Sequence, residues 1–166
     1  DIAFAVGDTT FGIQIGSDSS QVLSPAVDIA AAKVDIVLHM TAEAEYMGSY
    51  CALKSRVLGL SERLCCGYIL CSAGAGESTT DCVYTGSRVA AELGSVVAEA
   101  PRFGAENVIT YADIDTEAIE AARINRKVES TLERYTVSLP YCESNGYIAR
   151  VIDPMPFIPK DLDCGC

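Results

Sequence analysis

An apolar stretch that ends in a glycine-rich polar turn is the feature that most constrains this chain. Residues 65–71 read Cys-Cys-Gly-Tyr-Ile-Leu-Cys, and the run stops at Ser72, Gly74 and Gly76. The residues that follow, Glu77 to Asp81, carry carboxylates and hydroxyls. A buried strand that ends in such a turn places polar groups at the rim of a core, where small ligands are usually held. The stretch therefore predicts a core strand followed by a candidate ligand loop.

Composition excludes several classes of protein. The chain has 166 residues, 49% of them hydrophobic, which is enough to bury one core. Its net charge of −11 argues against nucleic acid and anionic membranes as partners, and a solvated surface that keeps the protein soluble is the favoured explanation of the charge. No apolar run reaches the ~18 residues that span a bilayer, and no basic signal region stands at the N-terminus. We therefore expect one cytoplasmic domain without nucleic-acid or membrane partners.

The eight cysteines do not form a metal-binding motif. No Cys-x-x-Cys pair occurs and His39 is the only histidine, so a zinc site would need thiolates from scattered positions. Cys164 and Cys166 could bind a soft metal, but two thiols at a chain end are more often simply exposed. Cysteines in apolar runs behave as small hydrophobes, so we expect Cys71 to lie in the core. The interpretation is reduced thiols and no metal.

The order of the predicted elements indicates a layered α/β domain. Apolar periodicity and turn residues predict, in chain order, strands at 2–6 and 10–15, a helix over 25–33, a strand at 34–40, a helix over 50–65 and a strand at 68–71. Further on they predict short strands at 83–84, 88–91 and 95–100, a strand at 107–114, and a helix from its cap Asp115 to about Lys127. Residues 128–166 read as an extended, mostly irregular tail.

Five motifs occur in a fixed order along the chain. They are Phe11-Gly-Ile-Gln-Ile15, Ser61 to Arg63, Ser72-Ala-Gly-Ala-Gly-Glu-Ser-Thr-Thr-Asp81, Ala112-Asp-Ile-Asp-Thr-Glu117 before a helix with Arg123, and Arg150 to Pro159. In this order they resemble the glutaminase domain of glutamine-dependent NAD synthetases, which belongs to the nitrilase (carbon–nitrogen hydrolase) superfamily. The resemblance covers most of residues 9–160. Because Arg63 matches a family arginine, we expect it to be a buried structural cation.

The resemblance implies a fold and a division of the chain. The family fold is an αββα sandwich, and this chain would supply the C-terminal part of one. Residues 1–140 would then form a partial glutaminase domain. Residues 141–166 would form a tail or linker towards a separate synthetase domain.

The resemblance also implies a chemistry. The family hydrolyses the side-chain amide of glutamine with a cysteine nucleophile, a glutamate base and a lysine that stabilises the oxyanion. The ammonia passes to the separate domain, which uses ATP and Mg to amidate nicotinic acid adenine dinucleotide. The resemblance therefore implies glutamine as the substrate and no cofactor within this chain.

The nucleophile position departs from the family pattern. The family has a Cys-Glu-Asp triplet after the strand that matches residues 11–15, and this chain has Gly16, Ser17 and Asp18 there. Glycine has no side chain to attack an amide, and one step along a strand end turns the Ser17 hydroxyl to the other side. The family's glutamate and lysine lie upstream of the matched region. We therefore expect this chain to be inactive alone.

The substrate positions depart as well. The family loop reads approximately Leu-Ser-Ala-Ser before Gly-Lys or Gly-Arg, whereas this chain has Glu43 in place of a hydroxyl and Ser49 in place of the cation. An added anion and a lost cation would weaken binding of the zwitterionic end of glutamine. Glu77, Ser78, Thr79 and Asp81 are further candidate ligand contacts. The alternative is that the hydroxyl groups of this loop only close a turn.

Two other functions stay open. One is a scaffold with a nitrilase fold whose amidase site has decayed, and the other is a small-ligand binding module that uses Glu77 to Asp81. Part of a sandwich would also leave a sheet edge and an apolar face uncovered. We therefore expect either a homo-oligomer or an N-terminal segment that completes the sheet.

Overall fold

A single mixed sheet organises the chain. The computed structural model describes residues 2–22, 24–104, 108–124, 126, 135–141, 146, 148 and 150–151. The strands are β1 (Ile2–Val6), β2 (Thr9–Ile15), β3 (Ile36–Thr41), β4 (Gly67–Ser72), β5 (Arg88–Glu92), β6 (Ser95–Glu99) and β7 (Tyr135–Ser138). The helices are α1 (Pro25–Ala31), α2 (Ser49–Leu64) and α3 (Thr116–Ile124), with 3-10 turns at Gly16–Ser20 and Ala75–Glu77. The strand order is β6-β5-β4-β3-β2-β1-β7.

Three adjacent parallel strands form the centre of the sheet. β2 pairs with β3, and β3 pairs with β4, so that Ile15, Met40 and Cys71 lie side by side. Helix α1 connects the first pair and α2 the second, and the two helices contact each other. Right-handed crossovers between strands that follow one another in the sheet place both helices on one face. The loops after β2, β3 and β4 consequently lie along one edge of the sheet.

Helix α1 begins at a capping serine, and helix α2 buries an apolar stripe. Ser24 caps α1 by accepting a hydrogen bond from the Ala26 amide at 3.3 Å, and Pro25 occupies the first turn. In α2, Leu53, Val57 and Leu60 are buried at three- and four-residue spacing. These side chains fix which side of the helix faces the sheet.

The face of the sheet under α1 and α2 carries the core. Val37, Tyr68, Leu70 and Val89 are almost completely buried there. Gly12 allows the closest approach between layers, because a Cβ built on it would stand 2.4 Å from Cγ2 of Ile29. Helix α1 therefore packs directly on the β2 backbone.

The opposite face of the sheet is apolar and open over the described residues. Ile13 and Ile15 of β2 and Met40 of β3 point to it and are 39%, 62% and 51% exposed. A cleft of about 770 Å³ borders this face between the central strands and residues 112–116, 148 and 150–151. We call this surface the open face. Such a large apolar area at the surface is typical of an interface.

An arginine fixes the amino-terminal ends of the central strands. Arg123 of α3 pairs with the Asp35 carboxylate at 2.9 Å and also donates to the backbone oxygens of Val34 and Cys65. Asp35 in turn accepts from the Thr10 amide at 2.8 Å. One buried ion pair thus joins the start of β2, the start of β3, the segment before β4 and α3.

Most predicted elements of the first hundred residues are confirmed, and so is the α/β class. The strands at 2–6, 10–15, 68–71 and 88–91, the helix over 50–65 and the hairpin near Gly94 lie within two residues of their observed bounds. The cap at Asp115 is confirmed as well, because its carboxylate accepts from the Ala118 amide at 2.9 Å. The predicted helix end near Lys127 lies outside the described residues.

Other predictions are wrong. Residues 83–84 and 108–114 are not strands, and Asn107 lies outside the described residues. The tail, expected to be extended and mostly irregular, contributes the short strand β7, which pairs in parallel with β1, and most of its other residues lie outside the described part of the chain. Arg63 and Cys71 are exposed rather than buried. Arg123 takes the structural role expected of Arg63, and Cys71 is exposed because its strand position points to the open face.

The close contact at Gly12 gives a prediction from one matched pair of variants. Gly12→Ala should lower the free energy of unfolding by about 1–3 kcal/mol, because the new methyl group overlaps Ile29. Gly59→Ala, in an open position of α2, should raise it by about 0.5–1 kcal/mol through helix propensity. Urea unfolding followed by circular dichroism measures both, and equal midpoints for the two variants would contradict this packing.

The ion pair between Arg123 and Asp35 gives a second prediction. Arg123→Met should cost about 3–5 kcal/mol of unfolding free energy, because the buried Asp35 carboxylate loses its charged partner. The matched control Arg63→Met removes an exposed arginine and should stay within about 0.5 kcal/mol of the parent. If the Arg123→Met protein unfolds at the same urea concentration as the control, the ion pair does not stabilise the ends of the central strands as described.

Candidate functional site

Three polar loops meet at the carboxyl edge of the central strands. Gly16–Ser20 follows β2, residues 42–48 follow β3, and the glycine-rich loop at 73–81 follows β4. The segments after β3 and β4 contact one another, since the Glu45 amide donates to the Val83 oxygen at 2.7 Å, and the Ala73 amide donates to the oxygen of Thr41, the last residue of β3, at 2.9 Å. Parallel pairing therefore brings the regions of all candidate residues to one edge, where ligands bind in many α/β proteins.

The turn at Gly16 has a half-buried, left-handed backbone. Its φ is +65°, and a Cβ built on Gly16 meets none of the described atoms within 4 Å. Ser17 is exposed, and its carbonyl accepts from the Ser20 hydroxyl at 2.8 Å. Asp18 accepts from the Gln21 side chain at 3.4 Å. A side chain larger than hydrogen would thus leave this turn into free space, but it would strain the left-handed backbone by about 1–2 kcal/mol.

A buried polar chain lies beneath the turn. His39 Nε2 lies 2.8 Å from the Gly16 carbonyl oxygen, and His39 Nδ1 lies 3.2 Å from the Tyr68 hydroxyl. The Tyr68 hydroxyl contacts Gln14 Oε1 at 2.6 Å, and Gln14 Nε2 contacts the Ser24 hydroxyl at 2.9 Å. All four side chains belong to residues that are at least 97% buried. Burial lowers the pKa of His39 and raises the pKa of Tyr68 above its ordinary value.

A polar cleft of about 320 Å³ lies between the loop after β3 and helix α2. Glu43, Glu45, Ser49, Arg56 and Thr85 are among the residues that line it. The structure thus brings together two of the candidates, Glu43 and Ser49. Neither the Gly16 turn nor residues 77–81 line this cleft.

The charged groups of the cleft are paired with one another. Arg56 contacts both carboxylate oxygens of Glu43 at 2.6 Å, and Arg102 pairs with Glu45 at 3.3 Å. The Ser49 hydroxyl donates to Glu45 at 2.7 Å. A ligand with a free carboxylate or ammonium would have to replace one of these contacts, so the cleft offers it little electrostatic gain.

The polar loop after β4 closes on itself. Thr79 Oγ1 accepts from the amides of Asp81 and Cys82 at 3.3 and 3.1 Å, and Ser78 Oγ accepts from the Tyr84 amide at 3.0 Å. Glu77 and the rest of the segment to Asp81 are exposed. These hydroxyls have the turn-closing role that was the alternative to ligand contact.

Neither of two neighbouring thiols stands in for the nucleophile. Cys66 is fully buried, and burial raises the pKa of its thiol to about 12. Cys71 is exposed, but it lies two strands from Ile15, which is about 10 Å at ordinary strand spacing. The Gly16 turn consequently has neither of these sulfurs next to it.

Several residues of the site were missed by the sequence analysis. His39, Gln14 and Tyr68 sit in apolar strands, where a single polar residue gives no indication of its partner. Their shared orientation follows only from the pairing of three strands. The sequence gives only a weak indication of a role for Arg56, which lies on the polar side of the predicted helix that follows the loop with Glu43.

Metal-binding clusters and membrane-spanning helices are both absent from the described residues. None of the groupings of histidine, cysteine, aspartate and glutamate within that part of the chain has three side chains placed to hold a metal ion. No helix within it is long and apolar enough to cross a membrane. Cys164 and Cys166 lie outside the described residues.

Comparison with known proteins supports the family resemblance. No family model matches the chain. The glutamine-dependent NAD(+) synthetase of Mycobacterium leprae is 27% identical over 177 residues, covering 97% of this chain and 26% of the relative. The chain thus spans about a quarter of the length of the curated relatives it matches.

Solved structures agree on the fold. A carbon–nitrogen hydrolase from Helicobacter pylori superposes with a TM-score of 0.61 at 17% identity, covering 74% of this chain and 46% of that one. A Saccharomyces cerevisiae member of branch 10 of the nitrilase superfamily gives 0.59 at 22% identity, covering 74% and 43%. The predicted fold is confirmed: the chain has part of the nitrilase-superfamily α/β fold and is similar in sequence to NAD synthetases.

The buried histidine gives a prediction of pH dependence. Burial lowers the pKa of His39 below 6.5, so near and below that pH the unfolded chain takes up a proton that the folded chain resists. The unfolding free energy of the parent, relative to His39→Gln, should therefore fall as the pH drops from 7.5 to 5.5. The fall cannot exceed about 1.4 kcal/mol per pH unit. Urea unfolding at a series of pH values measures it, and a difference that stays constant or grows at low pH would contradict the assignment.

Proposed function

We propose that this chain is part of a glutamine amidohydrolase domain that supplies ammonia in an NAD synthetase-like polypeptide, and that it is inactive as it stands. The observation that carries the proposal is the turn after β2. The Gly16 backbone is left-handed and its free side faces open space, as a turn that presents a nucleophile requires. A hydrogen atom occupies the place where a nucleophile's side chain would begin.

The cleft supports the inactive state. In the related enzymes a pocket must hold the charged end of glutamine, and an unpaired cation is the natural group for its carboxylate. Here Arg56 is already neutralised by Glu43, and Ser49 donates to Glu45. Glutamine binding would have to break these contacts, so we expect weak binding as well as no turnover.

The open face supports the need for a partner. A sandwich of the family buries such a face under a second sheet, and Ile13, Ile15 and Met40 are only partly covered here. We propose that residues of the same polypeptide beyond this chain form that second sheet and bring the glutamate and the lysine. Light scattering after gel filtration tests this, because a stable dimer of the isolated chain would favour a second copy as the occupant.

A non-catalytic scaffold with the same fold is the second candidate. The self-paired cleft and the self-closed loop at residues 77–81 favour it, because the charged groups of the cleft are paired within the protein and two hydroxyls of the loop bond to its own backbone. A binding module that uses Glu77 to Asp81 has less support, since two of its hydroxyls serve the backbone. We include a cytoplasmic location in the proposal, because the described cysteines are all free thiols.

Restoring the sulfur tests the proposed function. Ammonia released from glutamine is measured for the chain and for the longest polypeptide encoded in frame with it. The parent protein should release no more than the blank. Gly16→Cys in the longer polypeptide should gain release by at least about 100-fold, because a thiolate at this turn can attack the amide carbon.

Ser17→Cys is the matched control, because it adds the same thiol one residue away on an exposed side chain. It should remain at the blank. Release by the parent at the rate of an ordinary glutaminase would refute the inactive state. If Gly16→Cys stays silent in a folded longer polypeptide that binds glutamine, the scaffold is favoured instead.

A further inference from the structure

The hydrogen-bonded side chains buried beneath Gly16 restrict where each of their protons can be. This buried polar chain runs from Ser24 through Gln14, Tyr68 and His39 to the Gly16 carbonyl, with contacts of 2.9, 2.6, 3.2 and 2.8 Å. Buried polar atoms must be satisfied by hydrogen bonds, so the protons along such a chain can be counted.

The Gly16 carbonyl determines the position of the first proton. A carbonyl oxygen can only accept, so His39 Nε2 must carry a proton and donate to Gly16. The remaining nitrogen, Nδ1, faces the Tyr68 hydroxyl, which has one proton to give. Whether Tyr68 gives that proton to His39 depends on what Gln14 presents on the other side.

The Gln14 carboxamide has two orientations of the same shape. With Oε1 towards Tyr68, the hydroxyl donates to Gln14, and Nδ1 can be satisfied only if it carries a second proton. With the amide turned by 180°, the Ser24 hydroxyl donates to Gln14, Gln14 donates to Tyr68, and Tyr68 donates to Nδ1. The first orientation fits a cationic imidazole and the second fits a neutral one.

We propose that His39 is the positioning residue of the Gly16 turn, and that the orientation of Gln14, relayed by Tyr68, is coupled to the charge of its imidazole. In both states Nε2 holds the Gly16 carbonyl. In the cationic state a positive charge stands beneath residue 16. The importance of this charge for a nucleophile at residue 16 rests on the proposed function, whereas the hydrogen bonds themselves do not.

The groups around the ring bear on the balance between the two states. Burial favours the neutral ring, and Arg56 on α2 acts in the same direction. The Gly16 carbonyl, Glu43 in the loop after β3 and Asp18 in the turn favour the cation. Tyr68 on β4 keeps its proton, because burial raises its pKa. The neutral state with the turned amide is therefore the one expected at neutral pH.

The tautomer of His39 is the first measurement. The chain has one histidine, so a long-range nitrogen–proton spectrum of uniformly labelled protein contains the signals of one imidazole. At high pH the proton should be on Nε2, with Nδ1 as an acceptor. As the pH falls and the ring becomes charged, the Gln14 side-chain amide signals should shift with the same midpoint.

Variants of Gln14 test the relay. Gln14→Leu removes the acceptor that Tyr68 needs when Nδ1 is protonated, so His39 should bind its proton about tenfold more weakly. Gln21→Leu is the matched control, because Gln21 is exposed and its side chain donates to Asp18 in the turn, outside the buried chain. It should leave the titration of His39 unchanged.

Variants of His39 test the positioning role. His39→Leu should speed hydrogen exchange of the amides in residues 16–20 at least about tenfold relative to the rest of the sheet, because the Gly16 carbonyl loses its partner. His39→Gln keeps an amide donor and should restore much of the protection.

Three outcomes would overturn the proposal: a neutral ring with its proton on Nδ1, equal titration in the Gln14→Leu and Gln21→Leu proteins, or unchanged exchange in a folded His39→Leu protein. The first needs no variant, so a misfolded mutant cannot hide it. None of these measurements uses glutamine hydrolysis, so their failure is separate from failure of the proposed function.

Discussion

The ion pair between Asp35 and Arg123 fixes one end of the central sheet and so leaves the other end available for a site. It joins the starts of β2 and β3 to α3 and satisfies the carbonyls that precede β3 and β4. With those ends held, the parallel register places the carboxyl ends of three strands in line. The loops at that edge need not contribute to the core, which is why their sequences can change while the fold persists.

At the carboxyl edge of the central strands, the backbone of the Gly16 turn is held by a buried hydrogen bond, and the charged side chains of the cleft are paired with one another. The turn at Gly16 is held from below by His39, and its conformation suits a reactive side chain that is not there. In the cleft, the carboxylates of Glu43 and Glu45 are neutralised within the protein. The turn is thus supported from its buried side, and residue 16 itself presents no side chain at this edge of the sheet.

Sequence reasoning recovered the elements whose periodicity is strong and missed those that depend on distant contacts. The apolar spacing in α2 and the turn signals around Gly94 are local, so they were sufficient. Residues 108–114 have the composition of a strand, but no neighbouring strand in the described part of the chain pairs with them. The match between Gly16 and the family's nucleophile position came from the order of the sequence motifs alone. The buried chain under Gly16 could not be inferred in this way, because Gln14 and Tyr68 are 54 residues apart.

Strand β7 has a consequence for the order in which this protein can assemble. It pairs with β1, so the outermost position beside the first strand is filled by residues 135–138. Ile2 of β1 pairs with Tyr135 of β7, far along the chain, and such distant pairings form slowly because the intervening loop must close first. During synthesis β1 would wait with a free edge until the last part of the domain leaves the ribosome. Chaperone dependence, and aggregation through that edge, are the natural hazards of this topology.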